Sequence, residues 1–350
     1  MALLWCDGFD HYGTGATGRT NMLAGVWAAL STNLTPSATQ ARTGSNSLSH
    51  SGNSSTQARR VFPGATRATV GFGAGIYLSS LPSTSNGVVL AEFRDSGNAA
   101  QICVKLSTTG QVVVLRGNVS GAVLGTSDPV ITAQAWHHYE IKALCADSGG
   151  AVEVRVNGVT VLDISGVDTR NSATSLIDQV AFGSENAIPL TYWDDVFAWD
   201  TAGSLVNDFI GPQRVYTRLP DADTAESDWT RNTGSTDFST IDQAAPDGDT
   251  TYIAAATVGD ISEFGLTGLP AEVSVVTALY AAPMSRKEDA GAANLRASLV
   301  SGASVAAGAD RPITEAYTYW DDVFETDPAT GAPWTPAAAN AALLRLEKTA

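Results

Sequence analysis

The stretch TYWDDVF, residues 191–197, occurs again unchanged at residues 318–324. Each copy is rich in aromatic and β-branched residues and is followed by Asp, Gly, Pro and Thr residues that form turns, which is typical of a β-strand. Strict alternation of side chains places four residues of the first copy and its extension on one strand face: Trp193, Asp195, Phe197 and Trp199. The residues between them lie on the other face. We therefore expect each copy to be a late strand of its own β-sandwich.

Other strand-like segments precede the first copy at regular intervals, separated by Gly, Asn and Ser turns. They are ATVGFGAGIYL (68–78), GVVLAEFRD (87–95), AQICVKLST (100–108), QVVVLRG (111–117), WHHYEIKALC (136–145), AVEVRVNGVTVLDI (151–164) and LIDQVAFGS (176–184). Asn157 and Gly158 lie between two alternating runs and predict a hairpin with a type I′ turn. This spacing of strands and turns indicates an all-β sandwich.

Length and charge divide the chain into two parts. Its 350 residues suffice for two domains of ordinary size. Residues 1–204 hold 15 acidic and 11 basic residues, and the remainder holds 21 and 9. We expect an all-β protein with two tandem, jelly-roll-like β-sandwich domains and few short helices: residues 1–204, a connector at 205–220, and an acidic second domain at 221–350. A short helix is expected after Thr335, a suitable N-cap before Pro336, although LLRLEK (343–348) could instead be a closing strand.

The net charge of −16 excludes several classes of partner. Binding to nucleic acid or to an anionic membrane needs clustered Lys and Arg, which the sequence lacks. The first residues do not resemble a signal peptide, and no run approaches the ~20 apolar residues of a membrane span. We therefore expect synthesis in a cytoplasm and no membrane insertion. The three cysteines do not have the spacing of metal ligands, and we expect them to be small buried residues. One disulfide with a third, free thiol is the alternative.

Several motifs carry a family resemblance. The run Trp136-His137-His138-Tyr139, the segment VRVNGV and the terminal WDDV resemble the concanavalin A-like lectin and laminin-G sandwich superfamily over residues 1–204. In that fold the first and last strands are neighbours, so the resemblance implies that Phe9 lies near Trp193 and Phe197. The opening CDGFDHYG and the later PDGDTTYI and DPATGAPWT are similar to tailed-bacteriophage virion proteins.

The resemblance to this superfamily does not indicate catalytic residues in the chain. Retaining glucanases of the superfamily carry an E-x-D-x-x-E motif on one strand, because hydrolysis needs two nearby carboxyl groups. That motif is missing here, and four carboxylates outside the repeats stand singly: Glu92, Asp95, Glu140 and Glu153. His137 and His138 are expected on opposite sheet faces, which favours structural roles. We therefore expect that the protein is not an enzyme.

The aspartate pairs of the two copies have two interpretations. Asp194, Asp195, Asp321 and Asp322 could ligate calcium, which prefers carboxylate and carbonyl oxygens, and no other cofactor is indicated. The structural interpretation, which we favour, has one Asp of each pair in solvent and the other bonded to a neighbouring backbone. Most of the eight tryptophans suit a core. Trp199, next to Asp200 at the domain edge, is the predicted contact with another domain or subunit.

These observations favour a non-enzymatic structural protein of a phage virion. A tail-fibre, baseplate or spike component with an adhesive or assembly role is the first expectation, and a capsid or collar decoration protein is the alternative. The expected partners are other virion proteins, a host-surface glycan and further copies of the chain, with a trimer as the first guess. The expected location is the virion, after synthesis in the host cytoplasm.

Overall fold

The computed structural model describes residues 2–52, 56–64, 67–184 and 188–350. The chain divides into two compact units, unit 1 (Met1–Leu23 and Trp27–Val215) and unit 2 (Ala24–Val26 and Tyr216–Ala350). The division between Val215 and Tyr216 falls inside the segment 205–220 that the sequence indicates as a connector. Residues 205–215 pack on unit 1. No helix in the described part of the chain is long and apolar enough to cross a membrane.

Unit 1 is built almost entirely from strands. They are β1 (Leu3–Asp7), β2 (Ala29–Leu30), β3 (Leu34–Ser37), β4 (Ser47–Gly52), β5 (Thr56–Val61), β6 (Thr69–Leu78), β7 (Val88–Arg94), β8 (Ala100–Leu106), β9 (Gln111–Arg116), β10 (Ala122–Pro129), β11 (Trp136–Leu144), β12 (Gly150–Val156), β13 (Val159–Val167), β14 (Gln179–Ser184) and β15 (Ile188–Asp200). A 3-10 helix (Asp10–Tyr12) and helix α1 (Gly15–Met22) follow β1. Asn157 and Gly158 join β12 to β13 with φ of 51° and 82°, so the predicted hairpin is confirmed.

Two antiparallel sheets form the sandwich of unit 1. In the described residues, sheet 1 has the order β13-β12-β11-β6-β15-β4-β3, with β1 also paired to β15. Sheet 2 has the order β10-β9-β8-β7-β14-β5-β2. The first and last strands of the unit are therefore neighbours, with Cys6 opposite Phe197 and Asp7 opposite Val196. The predicted all-β sandwich fold is confirmed.

Aromatic rings fill the space between the two sheets. Phe182 of β14 lies 5.5 Å from Phe72 of β6 and 5.6 Å from Trp193 of β15, measured between ring centroids. The hydroxyl of Tyr139 in β11 donates a hydrogen bond of 2.8 Å to the carbonyl of Leu90 in β7. All five residues are buried, because each inward strand face must be removed from water to stabilise the fold.

A β-bulge at Asp195 changes the alternation predicted for β15. Asp194 lies opposite Gly75 of β6 and Phe197 lies opposite Gly73, so three residue steps on β15 match two on β6. Asp195 adopts a φ of 52°, an uncommon value for a residue with a side chain. The extra residue shifts the strand by one position, and Phe197 leaves the face of Trp193 for the outer face of sheet 1. The prediction that Trp193, Asp195, Phe197 and Trp199 share a face is therefore wrong.

Unit 2 also consists mainly of short strands. They are β16 (Pro220–Ser227), β17 (Thr230–Arg231), β18 (Ile253–Ala254), β19 (Ile261–Leu266), β20 (Leu279–Ala281), β21 (Met284–Ser285), β22 (Asn294–Ser301), β23 (Ser304–Ala307), β24 (Arg311–Pro312), β25 (Thr318–Tyr319), β26 (Asp322–Phe324) and β27 (Leu343–Lys348). A 3-10 helix (Phe238–Thr240) and helix α2 (Pro336–Ala341) complete it. Thr335 caps α2, because its hydroxyl accepts a hydrogen bond from the backbone amide of Ala338 at 3.1 Å. The run LLRLEK forms the closing strand β27.

The second TYWDDVF copy does not repeat the structure of the first. In the described residues, sheet 3 has the order β16-β19-β27-β22-β23, with β24 paired to β22. The copy at 318–324 lies outside this sheet and is split into β25, which pairs with β21, and β26, which pairs with β20. The expectation that it is one late strand of a sandwich is wrong. The same seven residues form one strand or two because different neighbours surround them.

Candidate functional site: the outer face of sheet 1

The outer face of sheet 1 is defined by a row of glycines in β6. Gly71, Gly73 and Gly75 lie opposite Lys142, Glu140 and His138 of β11, in that order. Side chains alternate along β11, so the three polar residues share the face turned away from the core residues Tyr139 and Ile141. The glycines leave room above β6 for side chains that reach over from both neighbouring strands.

Two aromatic rings from β15 occupy that room. A Cβ atom added to Gly71 would lie 2.0 Å from the indole ring of Trp199, and one added to Gly73 would lie 2.2 Å from the ring of Phe197. Both rings therefore rest directly on the backbone of β6, which only glycine permits. Trp199 and Phe197 are almost fully buried, although they lie on the outside of the sandwich.

Glu140 lies at the centre of this face and accepts three hydrogen bonds. The indole nitrogen of Trp199 donates to Oε1 at 3.2 Å, the amide of Ile210 donates to Oε1 at 2.9 Å, and the amide of Gly211 donates to Oε2 at 3.0 Å. Burial raises the pKa of Glu140, while these three donors and the charge of Arg155 oppose the rise. Glu140 is 1% exposed, so the carboxylate depends on its protein donors in place of water.

His138 lies two residues before Glu140, on the same face. Its ring stacks on Phe197 with 5.9 Å between centroids and 11° between planes. The residue is 3% exposed, and neither ring nitrogen has a hydrogen-bond partner among the residues that the structure describes. Burial, followed by the positive charge of Arg42, lowers the pKa of His138 to about 3. The imidazole is therefore neutral at physiological pH and has a free nitrogen lone pair that can accept a proton.

The bulge turns both aspartates of the first copy toward a loop and a later segment. Asp194 Oδ2 accepts hydrogen bonds from the backbone amides of Arg42 at 2.7 Å and Thr43 at 3.0 Å. Asp195 Oδ1 accepts the amide of Val215 at 2.7 Å, while Oδ2 accepts the Thr43 hydroxyl at 2.9 Å and pairs with the Arg42 guanidinium. Burial and the adjacent Asp195 raise the pKa of Asp194 to about 8. The pair fixes the 42–43 loop and residue 215 to β15.

Residues 205–215, here named the covering segment, lie across this face. Phe209 packs edge-on against Trp199 at 6.0 Å, and the Arg155 guanidinium lies 3.8 Å from the centroid of the Phe209 ring. Lys142 pairs with Asp208 at 2.9 Å. The segment separates Glu140 and Trp199 from solvent, while the Arg42 side chain lies over Gly75, the residue opposite His138.

The aspartates do not fit the calcium site considered from the sequence. Hydrogen-bond donors of the protein face the oxygens of Asp194 and Asp195, and a cation in their place would meet N–H and O–H groups. In the second copy, Asp321 accepts the Tyr280 hydroxyl at 2.9 Å and Asp322 pairs with Arg311 at 2.8 Å. Among the described residues, no group of three or more His, Cys, Asp or Glu is placed to hold a metal. The expectation that one Asp of the first pair faces solvent is also wrong, because both are buried.

Trp199 is not an exposed contact residue, contrary to the sequence-based prediction. Its side chain is fully buried within unit 1, where it contacts Gly71, Glu140 and Phe209. The bulge at Asp195 turns it to the outer face, and the covering segment then removes it from solvent. A buried indole offers no surface to another subunit.

Sequence reasoning missed the grouping of His138, Glu140, Arg42 and residues 209–215. Glu140 was interpreted as an isolated carboxylate because its partners lie 59 to 71 residues away along the chain. The alternating glycines of β6 were the available signal, since such a row indicates close approach by neighbouring side chains. Glu153 lies on the same sheet and pairs with Arg155 at 2.8 Å. Glu92 and Asp95 belong to β7 of sheet 2 and the turn that follows it.

Comparisons with known proteins find a distant similarity of fold and no related sequence. No family model matches the chain, and no curated protein matches it. Among solved structures, an alginate lyase is 14% identical over 56% of this chain and 96% of its own, with a TM-score of 0.38. A sialidase is 13% identical over 57% of this chain and 19% of its own, with a TM-score of 0.39. A protein of unknown function with a galectin-like fold from Bacillus subtilis is 12% identical over 57% and 96%, with a TM-score of 0.36.

These comparisons contradict the function expected from the sequence. Two of the three structures are carbohydrate-active enzymes, and none of the three is described as a virion protein. We withdraw the expectation of a non-enzymatic virion structural protein, both as a tail component and as a capsid or collar decoration protein, together with the expectation that the protein is not an enzyme. The sequence argument against catalysis considered carboxylates on one strand.

Proposed function

We propose that unit 1 cleaves a glycan and that its site is the outer face of sheet 1. The observation that carries the proposal is His138, a buried imidazole with no partner at either ring nitrogen. Buried polar groups in proteins are nearly always hydrogen-bonded, and an exception on a functional face indicates a group kept available for a ligand. The neutral ring of His138 can accept a hydrogen bond from a bound hydroxyl group, and it becomes an effective base only when the burial that lowers its pKa is relieved.

Glu140 supplies the complementary group. Burial raises the pKa of Glu140, and loss of the Ile210 and Gly211 amides would raise it further, toward the protonated form that a general acid needs. His138 and Glu140 are two residues apart on one strand, which places their Cα atoms about 7 Å apart on the same face. A base and an acid at this spacing can act on opposite sides of one glycosidic linkage. In the observed state Glu140 accepts the amides of the covering segment, so proton transfer requires that segment to move.

The remaining groups of the face suit a sugar. Trp199 lies over Gly71, and an aromatic ring can stack on the apolar face of a sugar ring. Arg42 lies over Gly75 and Arg155 lies against Phe209, and both guanidinium groups can donate hydrogen bonds to hydroxyl or carboxylate oxygens once their present partners are displaced. The proposed roles are His138 as base, Glu140 as acid, and Trp199 as sugar platform.

The location and the partners that we propose come from the sequence resemblance to tailed-phage proteins. We propose that the glycan is a surface polysaccharide of a bacterial host, in keeping with the resemblance to tailed-phage proteins, and that the chain acts in the virion beside other virion proteins. We further propose a homo-oligomer, with three copies as the first expectation, because several linked sites raise the effective concentration at a surface. Solution mass measured over a range of protein concentrations tests this assembly.

A polysaccharide panel tests the proposed chemistry. Neutral and uronate-containing polymers are incubated with the protein, reducing ends are counted, and ultraviolet absorbance identifies unsaturated products of elimination. His138→Ala and Glu140→Gln are each expected to lower cleavage by at least about 100-fold, the lower end of what general acid–base catalysis contributes. His137→Ala and Glu263→Gln are the matched controls, since His137 lies beside His138 and contacts Thr132, and Glu263 pairs with Arg345 in unit 2. Cleavage that survives His138→Ala, or binding without any cleavage, contradicts the proposal.

A further inference from the structure

The covering segment contacts the same groups that a glycan would need. Phe209 covers Trp199, the proposed sugar platform, with its ring centroid 6.0 Å from that of the indole. The amides of Ile210 and Gly211 fill hydrogen-bonding positions of Glu140 that the hydroxyl groups of a sugar would otherwise fill. A ring and two donors are also what a bound sugar residue would present.

The segment is attached mainly through its backbone. Three of its amides, at residues 210, 211 and 215, donate to Glu140 and Asp195, and the carbonyl of Gln213 accepts a 2.7 Å hydrogen bond from Arg42. Val206 is its buried side chain, and the Arg214 guanidinium donates hydrogen bonds to the Arg42 carbonyl and the Thr43 hydroxyl. Pro212 and Arg214 are exposed, and the Asp208 carboxylate in the pair with Lys142 is 63% exposed.

Such an attachment favours local opening. Regions with little buried apolar surface open at a smaller free energy than global unfolding requires. Opening would break the hydrogen bonds of the segment to Glu140, Asp195, Arg42 and Thr43 and the exposed pair of Asp208 with Lys142, while the backbone hydrogen bonds within both sheets are kept. Asp195 would keep its partners Arg42 and Thr43, but Glu140 would keep only Trp199. Glu140 is therefore the group whose environment changes most.

We infer that the covering segment is an intramolecular competitor that occupies the glycan site and opens before a glycan can reach His138 and Glu140. The inference rests on the proposed function of this face. The closed state protects the buried acid–base pair, and a glycan that replaces the segment shifts the population toward the open state by its preference for that state. The expected ligand is a polymer that supplies both stacking rings and hydroxyl donors.

Two variants open the segment without altering the proposed catalytic residues. Phe209→Ala removes the ring from Trp199, and Ile210→Pro removes one amide donor from Glu140. Leu205→Ala is the matched control, because Leu205 is 39% exposed in the same segment. Hydrogen exchange at residues 211 and 215 and trypsin cleavage after Arg214 report opening directly. Ile210→Pro is expected to speed exchange and trypsin cleavage by at least about tenfold, the effect of losing one hydrogen bond to a charged group. Phe209→Ala is expected to speed both by about two- to tenfold, the effect of losing an aromatic contact.

The cleavage rate on the polysaccharide panel then separates the possible results. Faster exchange together with faster glycan cleavage in both variants supports the inference. Faster exchange with a cleavage rate equal to that of the wild type overturns the inference while the proposed function survives. Unchanged exchange also overturns it, because the segment is then held by other contacts. Faster exchange with no cleavage or binding of any polymer overturns both proposals.

Discussion

The indole nitrogen of Trp199 donates a hydrogen bond to the carboxylate of Glu140 across 3.2 Å. Trp199 belongs to β15 and Glu140 to β11, and β6 lies between these strands in sheet 1. The bond can span β6 only because Gly71 places no side chain beneath the indole. This relationship depends on the bulge at Asp195, which brings Trp199 to the outer face.

The first prediction concerns the glycine row. Gly71→Ala adds a methyl group where the indole of Trp199 now lies, 2.0 Å from the new Cβ atom. We expect the free energy of unfolding to fall by roughly 1–3 kcal/mol, the usual cost of overpacking. Denaturant unfolding followed by tryptophan fluorescence measures it. Gly97→Ala is the control in an exposed turn and is expected to change stability by less than about 0.5 kcal/mol. Equal effects at the two positions would contradict the packing described for Trp199.

The two copies of TYWDDVF allow a second, paired prediction. In Asp195→Ala, the Arg42 guanidinium stays buried without its carboxylate, since the Arg42 side chain is 10% exposed. We expect a loss of about 3–5 kcal/mol, as for other broken buried pairs. Asp322→Ala frees Arg311, whose side chain is 29% exposed, and is expected to cost about 1 kcal/mol or less. Thermal unfolding of both variants measures the difference, and a larger cost at Asp322 would refute it.

Local patterns in the sequence were sufficient for the strands and turns. The Asn157-Gly158 hairpin and the cap at Thr335 follow from residues whose preferences agree with the fold. The pairing of the first strand with TYWDDVF came instead from the resemblance to a sandwich whose terminal strands are neighbours. The bulge at Asp195 could not be predicted, because a positive φ at aspartate has no local signature in that run. A shift of one position exchanges the two faces of a strand, so the assignment of Phe197 and Trp199 failed with it.

The candidate site was harder to predict for a related reason. Its residues come from the loop at Arg42, from β11, from β15 and from the covering segment, and only the last two follow one another in sequence. Pairing between distant segments sets which carboxylates meet donors, and periodicity along one strand does not contain that information. Glu140 therefore resembled any exposed carboxylate of a sheet until Ile210 and Gly211 were placed against it.

The third prediction concerns pH. Burial and the charge of Arg42 lower the pKa of His138 from 6.5 to about 3. Below pH 6.5 the unfolded chain takes up a proton that the folded protein does not, so stability is complete above pH 6.5 and falls as the pH drops toward 3. The raised pKa values of Glu140, Asp194 and Asp195 act in the opposite direction, since the folded protein holds those protons more tightly.

Comparing two variants isolates the contribution of His138. The His138→Phe variant keeps the carboxyl groups of Glu140, Asp194 and Asp195. The difference in unfolding free energy between wild type and variant should therefore depend on pH through the His138 imidazole alone. We expect this difference to change by about 3 kcal/mol between pH 7 and pH 4, with the wild type losing more stability. His137→Phe should preserve most of the wild-type slope, because His137 is only partly buried. A His138→Phe variant with the same pH dependence as the wild type would rule out the buried neutral imidazole.

The last prediction tests the joining of the first and last strands in unit 1. β1 pairs with β15 from Leu3 opposite Trp199 to Asp7 opposite Val196, and Trp5 packs against Trp27 with 5.0 Å between ring centroids. Deleting residues 2–7 removes this strand, exposes the edge of β15 beside the bulge, and opens the core around Trp27. We expect unit 1 to lose its cooperative calorimetric transition while unit 2 keeps a transition of its own, because the core around Phe264, Leu299 and Trp334 contains no residue of β1. Deleting residues 343–350 is the reciprocal control, since it removes β27 from between β19 and β22 and should abolish the transition of unit 2 alone. Loss of both transitions in either deletion would show that the two units do not fold independently.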